Sequence, residues 1–279
     1  MKKANHSNVL EVKDLNVEFS TYGGTVKAVR GVSYNVRNGK TLGVVGESGC
    51  GKSVTVQAIL QLIPMPPGRI TSGSAKLNGK EMIGLSPKDI NTIRGREIGV
   101  IFQDPMSSLN PTMKIGKQIA ETVKVHQNAS DDEAMQKAIA LLEKTKIPEA
   151  AKRAQQYPFE FSGGMLQRAI IAMSLACDPT LLVADEPTTA LDVTIQAQTL
   201  EVMHELQQNM GMSIILITHD LGVIAKMAHD VAVMYAGQVI EAGPVDDIFY
   251  RSAHPYTLGL RHAMPTNIEG ADRLSLIHI

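Results

Sequence analysis

Three short stretches carry residues whose types and spacing suit phosphate chemistry. The first is "GESGCGKS", residues 46–53, which matches G-x-x-x-x-G-K-[ST]. Gly46, Gly49 and Gly51 let the backbone bend around a phosphate and aim its N–H groups inward, with Glu47, Ser48 and Cys50 completing the loop. Lys52 is placed to reach the β- and γ-phosphates of a nucleoside triphosphate, and Ser53 offers a hydroxyl to Mg2+. Cys50 is an interior position of the loop and reads as a small filler, not a nucleophile.

The second stretch is "LLVADEP", residues 181–187. Its apolar run delivers Asp185 to a strand end, where it suits Mg2+. Glu186, one residue on, is placed to take a proton from an attacking water. Gln103 and His219 each follow a short apolar run, at 97–102 and 213–218, and from there can address the metal or the γ-phosphate. Tyr22, just ahead of Gly23 and Gly24, can stack on adenine.

The third stretch, "FSGGMLQR" at 161–168, opens a long apolar-periodic run. A serine and two glycines at a helix start (Ser162, Gly163, Gly164) form a second anion receptor. The helical segment carrying it is set apart from the first loop. Its expected ligand is therefore the γ-phosphate held by a second subunit, with two subunits placed head to tail.

The elements that must position these groups follow from periodicity. Alternation predicts strands at 9–19 and 28–36, with a turn at Asn38-Gly39. A buried strand at 41–46 leads into a helix over 52–63, stopped by Pro64. An edge hairpin is expected at 74–80 and a buried strand at 97–103. Helices are expected over 115–127, 131–147 (with Ser130 and Glu133 as a capping box) and 163–177. Strand 181–186, a helix at about 193–210, strand 213–219 and a helix near 221–228 come next. A hairpin over 229–243 turns at Ala236-Gly237, and two short helices lie within 244–262. This is an α/β chain: a P-loop NTPase core with an antiparallel β subdomain and an inserted α-helical subdomain. The expected domain is 8–262, with core at 8–103 and 181–243, helical subdomain at 104–180, and a C-terminal extension at 244–279.

Composition removes other classes. The 27 Lys+Arg against 28 Asp+Glu leave no basic excess for nucleic acid, and 4% aromatics without Trp make no base-stacking platform. Two distant cysteines argue for a reducing compartment and no disulfide framework. The polar start "MKKANHSN" is not a signal peptide, and no run nears the ~18 apolar residues of a membrane span.

The order "GESGCGKS", Gln103, "FSGGMLQR", "LLVADEP", "ALD" (190–192), His219 resembles the ATP-binding subunits of ABC transporters over nearly the whole chain. The resemblance implies ATP and Mg2+ as cofactors and a head-to-tail dimer with a second ATP-binding subunit, identical or related. It assigns Ser162, Gly163, Gly164 and Gln167 to the signature site and Asp192 to the dimer-contact loop, and it supports Gln103 and His219 as site residues. "FQDPMSSLNPTMKIGKQIAE", "ADEPTTALDVTIQAQ" and "HPYT" (254–257) are similar to the dipeptide/oligopeptide and nickel importer subfamily. That implies peptide uptake, or uptake of nickel or another small solute. It also implies two membrane-spanning permeases that hold the chain at the cytoplasmic face, and an extracytoplasmic solute-binding protein. The subfamily continues past "RLSLI" with a proline-rich segment and often a cysteine cluster, so a shortened C-terminus is expected at 279.

Competing classes fit less well. A DNA-repair ATPase needs a long coiled coil between loop and signature, and a ribosome-associated one needs two fused domains. A P-loop kinase or GTPase leaves "FSGGMLQR" without a role. A catalytically dead subunit is at odds with intact Lys52, Asp185, Glu186 and His219.

Overall fold

The computed structural model describes residues 7–104, 108–188 and 192–263. In chain order its first elements are β1 (Asn8–Thr21), β2 (Gly24–Arg37), β3 (Thr41–Val45), α1 (Lys52–Ile59), β4 (Gly68–Leu77), β5 (Lys80–Glu81), α2 (Pro87–Ile93) and β6 (Ile98–Ile101). Then come α3 (Ile115–Gln127), α4 (Asp131–Lys144), α5 (Ala150–Arg153), a 3-10 turn at Pro158–Glu160, α6 (Gly163–Ser174), β7 (Leu181–Asp185) and α7 (Val193–Met210). The last are β8 (Ser213–Ile217), α8 (Leu221–Met227), β9 (Asp230–Tyr235), β10 (Gln238–Pro244), α9 (Val245–Tyr250) and α10 (Pro255–His262). The chain divides into two compact units, Met1–Gly84 with Ile215–Ile279, and Leu85–Ile214.

The first unit contains two sheets. One is antiparallel, ordered β2-β1-β4-β5. Its β1 buries Val9, Leu10, Val12, Leu15 and Val17; Leu10/Val12 and Leu15/Val17 keep the period of two, and register shifts at Asn8/Leu10 and Val12/Leu15 interrupt it. The other runs β10-β9-β3-β8, with β3 and β9 parallel in the register Leu42↔Asp230 to Val45↔Val233. Every residue of β3 is buried. A Cβ on Gly43 would stand 2.7 Å from Ile224 Cδ1, so α8 lies on β3 as closely as a glycine permits. The β9–β10 hairpin turns at Ala236 and Gly237 as expected, both at positive φ (46° and 82°).

In the second unit β6 and β7 pair in parallel, Ile98↔Leu181 to Ile101↔Ala184, and β8 begins beside β7. β7 is buried at all five positions. Helix α3 buries Ile115, Ile119 and Val123 on one face, and α4 buries Ala134, Ala138, Leu141 and Leu142. Each Leu or Ile removed from water in this way contributes about 1.5–3 kcal/mol. The Ser130–Glu133 capping box forms as expected.

Several boundaries differ from the periodic pattern. Helix α1 stops at Ile59 instead of continuing to Pro64. Gln61 adopts φ 52°, and the Leu62 N–H reaches back to Gln57 O at 2.7 Å. That is a six-to-one C-terminal closure, formed here on a non-glycine residue. The Gln61 side chain offsets part of its strain by donating to Met82 O at 3.0 Å. Helix α4 ends at Lys144 because Lys146 takes φ 59°, and the Thr145 hydroxyl donates to Leu141 O and Leu142 O, both at 3.1 Å. Helix α6 ends at Ser174, and β4 begins at Gly68, six residues before the expected hairpin start at 74. Helix α2 has no counterpart in the periodic reading. Its signal is local: Ser86 caps it by accepting the Asp89 N–H, and Pro87 occupies its first turn. Residues 264–279 of the expected C-terminal extension, and Ala190 and Leu191 of "ALD", lie outside the described residues.

Candidate functional site

In the first unit, β3 runs straight into the Gly46–Ser53 loop, and α1 begins at Lys52. Three loop glycines take positive φ: Gly46 at 151°, Gly49 at 79° and Gly51 at 100°. Two of them are also steric necessities. A Cβ on Gly46 would lie 2.2 Å from Met234 O, and one on Gly51 would lie 2.6 Å from Ala28 O. Gly51 caps α1 without a side chain, leaving the first N–H groups of the helix facing the loop. The loop is held from behind, since the Gly237 N–H donates to Cys50 O at 3.0 Å.

The Lys52 side chain is buried. Its Nζ donates to Gly46 O at 2.7 Å and to Glu47 O at 2.8 Å, so the ammonium sits inside the curl of the loop. Ser48 and Gly49 are exposed at the loop tip, and Ser53 is half-buried just inside α1. Cys50 is buried, and burial pushes its thiol up despite the nearby Lys52 charge, as suits a filler. His219 is exposed just past β8. It is flanked by Thr218, whose N–H donates to Val44 O, and Asp220, whose carboxylate caps α8 through the Gly222 and Val223 N–H groups. Tyr22 is fully exposed at the β1–β2 tip.

In the second unit, Asp185 is the buried last residue of β7. Glu186 follows in left-handed backbone, φ 47°. A non-glycine residue there stores strain of order 1–3 kcal/mol, a feature that clusters at functional sites. The turn sends the Glu186 carboxylate to Gln103, whose Nε2 donates to Glu186 Oε2 at 3.1 Å. Gln103 lies two residues beyond β6, so neighbouring strands β6 and β7 bring the pair together.

The same unit carries the serine–glycine receptor. Ser162 caps α6, its Oγ accepting the Met165 N–H at 3.3 Å, and Ser162 and Gly163 are exposed. A Cβ on Gly164 would lie 2.6 Å from Ile195 Cγ2, which brings the start of α7 against the start of α6. Asp192 caps α7, its Oδ1 accepting from Thr194 N at 3.1 Å and Ile195 N at 3.0 Å. Gln167 differs in setting from its neighbours: it is 1% exposed and faces inward from α6. Sequence reasoning attached no site role to Tyr256, yet its hydroxyl accepts the Glu47 N–H of the phosphate loop. No local signal could have found it, because the two residues are 209 positions apart.

A phosphate loop at the end of a buried parallel strand, with an aspartate closing another such strand, marks a P-loop NTPase. Comparison with known proteins agrees. The family model described as ABC transporter matches residues 29–189. The oligopeptide transport ATP-binding protein OppD of Bacillus subtilis is 57% identical over 272 residues, covering 97% of this chain and 76% of that protein. The dipeptide transport ATP-binding protein DppD of the same organism is 51% identical over 265 residues, covering 95% and 79%. Among solved structures, cbiO1 of Clostridium perfringens, part of the ABC transporter complex cbiONQ, superposes with TM-score 0.75 at 27% identity, covering 88% of this chain and 91% of that one. The chain belongs to the ABC transporter ATP-binding proteins, in the oligopeptide and dipeptide importer subfamily.

Proposed function

We propose that this chain is the ATP-hydrolysing subunit of an importer for di- or oligopeptides, and that it works as a head-to-tail pair with a second ATP-binding subunit. The substrate class rests on the likeness to OppD and DppD. The chemical step rests on one observation: Glu186 is held in a strained turn, its carboxylate oriented by the Gln103 amide.

The roles follow from chemistry. The Gly46–Ser53 loop and Lys52 bind the triphosphate. Lys52 exchanges its present carbonyl partners for phosphate oxygens, which are charged and bind an ammonium more strongly. Ser53, Gln103 and Asp185 are all oxygen donors, the set a hard divalent cation prefers, and they would hold Mg2+. Mg2+, when bound, neutralises charge on the β- and γ-phosphates. Glu186 takes the proton of the attacking water, and His219 donates to the γ-phosphate. Tyr22 stacks on the adenine. Ser162, Gly163 and Gly164, supported by the buried Gln167 and by Asp192, close over the nucleotide of the opposite subunit.

Among the described residues no helix is long and apolar enough to cross a membrane. Two permease subunits, fed by an extracytoplasmic solute-binding protein, are the proposed membrane partners, with this chain at their cytoplasmic face. The test is the peptide-stimulated ATPase rate of the assembled complex in vesicles. A rate that rises with di- or oligopeptide and its binding protein supports the reading. A rate that responds to nickel and ignores peptides replaces the substrate class.

A further inference from the structure

The phosphate loop has a support far along the chain. Tyr256, in the first turn of α10, places its phenolic oxygen 3.2 Å from the Glu47 N–H, which donates to it. The Tyr256 side chain is built into place. Its ring packs on Tyr235 at the end of β9, centroids 4.6 Å apart and planes tilted by 48°. His254 caps α10, its Nδ1 accepting the Tyr256 N–H at 3.1 Å. The Glu241 carboxylate on β10 accepts the Ala253 N–H at 2.7 Å and the His254 N–H at 3.3 Å. Strands β9 and β10 thus hold the helix that holds the tyrosine. Tyr256 is 9% exposed.

Glu47 is the residue on which such a contact has most leverage. It follows Gly46, where the backbone leaves β3 pressed against Met234 O. Its N–H is held by Tyr256, and its carbonyl is held by Lys52. Lys52 Nζ now donates to both Gly46 O and Glu47 O, and a bound γ-phosphate, being charged, competes for those donors. To the extent that it turns to the nucleotide, its hold on the Gly46 and Glu47 carbonyls weakens, while the Tyr256 contact needs no lysine.

We propose that Tyr256 is a positioning residue for ATP binding: it fixes the entry of the phosphate loop through the Glu47 N–H and so links the His254–Thr257 segment to nucleotide affinity. The proposal rests on the reading that Gly46–Ser53 holds the ATP phosphates. Burial pushes the phenol up to about 12, so the hydroxyl stays neutral across the working pH range and the contact adds no pH dependence there.

The experiment is Tyr256→Phe in the full chain, which keeps the ring and removes the oxygen, with Tyr250→Phe on the exposed neighbouring helix as control. ATP is titrated calorimetrically, and hydrolysis is measured in the assembled transporter. One lost neutral hydrogen bond corresponds to roughly a threefold to tenfold weaker ATP affinity. KM rises by the same factor, kcat holds, and amide exchange at Glu47 quickens in the nucleotide-free chain. Tyr250→Phe changes none of these. Wild-type protein that binds no ATP overturns the phosphate-loop reading itself. Wild type that binds ATP with Tyr256→Phe binding equally well overturns the role of Tyr256 alone. If the variant does not fold, Glu47 amide exchange in the wild type decides: slow exchange supports the contact, and exchange at the rate of an open loop overturns it.

Discussion

The Gln103 side-chain amide donates to the Glu186 carboxylate at 3.1 Å, across 83 residues of sequence. Both groups sit at the ends of neighbouring parallel strands, so the contact is a product of the β6–β7 register. It joins Gln103, proposed to address the metal, to the proposed base Glu186. A change at either end is felt at the other.

Glu186→Gln keeps the size and the left-handed backbone and removes the base. Turnover in the assembled transporter is expected to fall by roughly 10²–10⁴ while ATP still binds. Gln103→Ala is expected to lower turnover less, because it loosens the base without deleting it. Near-normal turnover of Glu186→Gln would remove that residue from the role.

Two loop glycines separate strain from collision. Gly49 has φ 79°, and a Cβ added there would meet nothing within 4 Å, whereas a Cβ on Gly51, at φ 100°, meets Ala28 O at 2.6 Å. Gly49→Ala is expected to cost only backbone strain, about 1–2 kcal/mol. Gly51→Ala adds a clash with backbone that cannot swing aside. It is expected to lower the melting temperature further, at roughly 2–4 °C per kcal/mol, and to abolish ATP binding. Calorimetric scans and ATP titration of both variants check the order.

Gly164 tests the head-to-tail arrangement. Any side chain there must displace Ile195, so Gly164→Ala carries the steric effect alone. Gly164→Asp adds a carboxylate where the opposite subunit's γ-phosphate is proposed to sit, a repulsion of several kcal/mol in a dry interface. Hydrolysis should therefore fall much further for Asp than for Ala, while the isolated chain binds ATP in both. If Gly164→Asp abolishes ATP binding by the isolated chain and Gly164→Ala does not, the receptor serves its own nucleotide.

Acid stability has one identifiable contributor in the β4–β5 hairpin. Burial pushes the Glu81 carboxyl up, but hydrogen bonds from the Ser74 hydroxyl and the Ala75, Ile83 and Met82 N–H groups outweigh it and leave the group below its ordinary value. A depressed folded-state value means stability that is fully present above the unfolded value, about 4.3, and lost as pH falls through the folded one. Glu81→Gln should therefore lower the melting temperature at neutral pH and flatten its decline below about pH 4. A decline as steep as in the wild type would assign the acid sensitivity elsewhere.

What the sequence determined by itself is the chemistry that neighbours in the chain can express. "GESGCGKS" between an apolar run and a helix, "LLVADE" ending in two carboxylates, the Ser162 cap of α6 and the Ser130–Glu133 box each complete themselves within a few residues, so each is legible in one dimension. Helix α7 spans Val193–Met210, where its periodicity placed it, because Asp192 caps it at one end and Gly211, at φ 63°, stops it at the other. What the tertiary structure decided are the relations that close long loops. Gln103 meets Glu186 through strand register, Gly164 is required by Ile195, and Tyr256 reaches Glu47 across 209 residues. The left-handed turn at Glu186 and the early end of α1 at Gln61 belong to the same group. At Glu186 and Gln61 the side-chain partners are Gln103, 83 residues away, and Met82, 21 residues away, so no pattern in the immediate neighbourhood announces either turn.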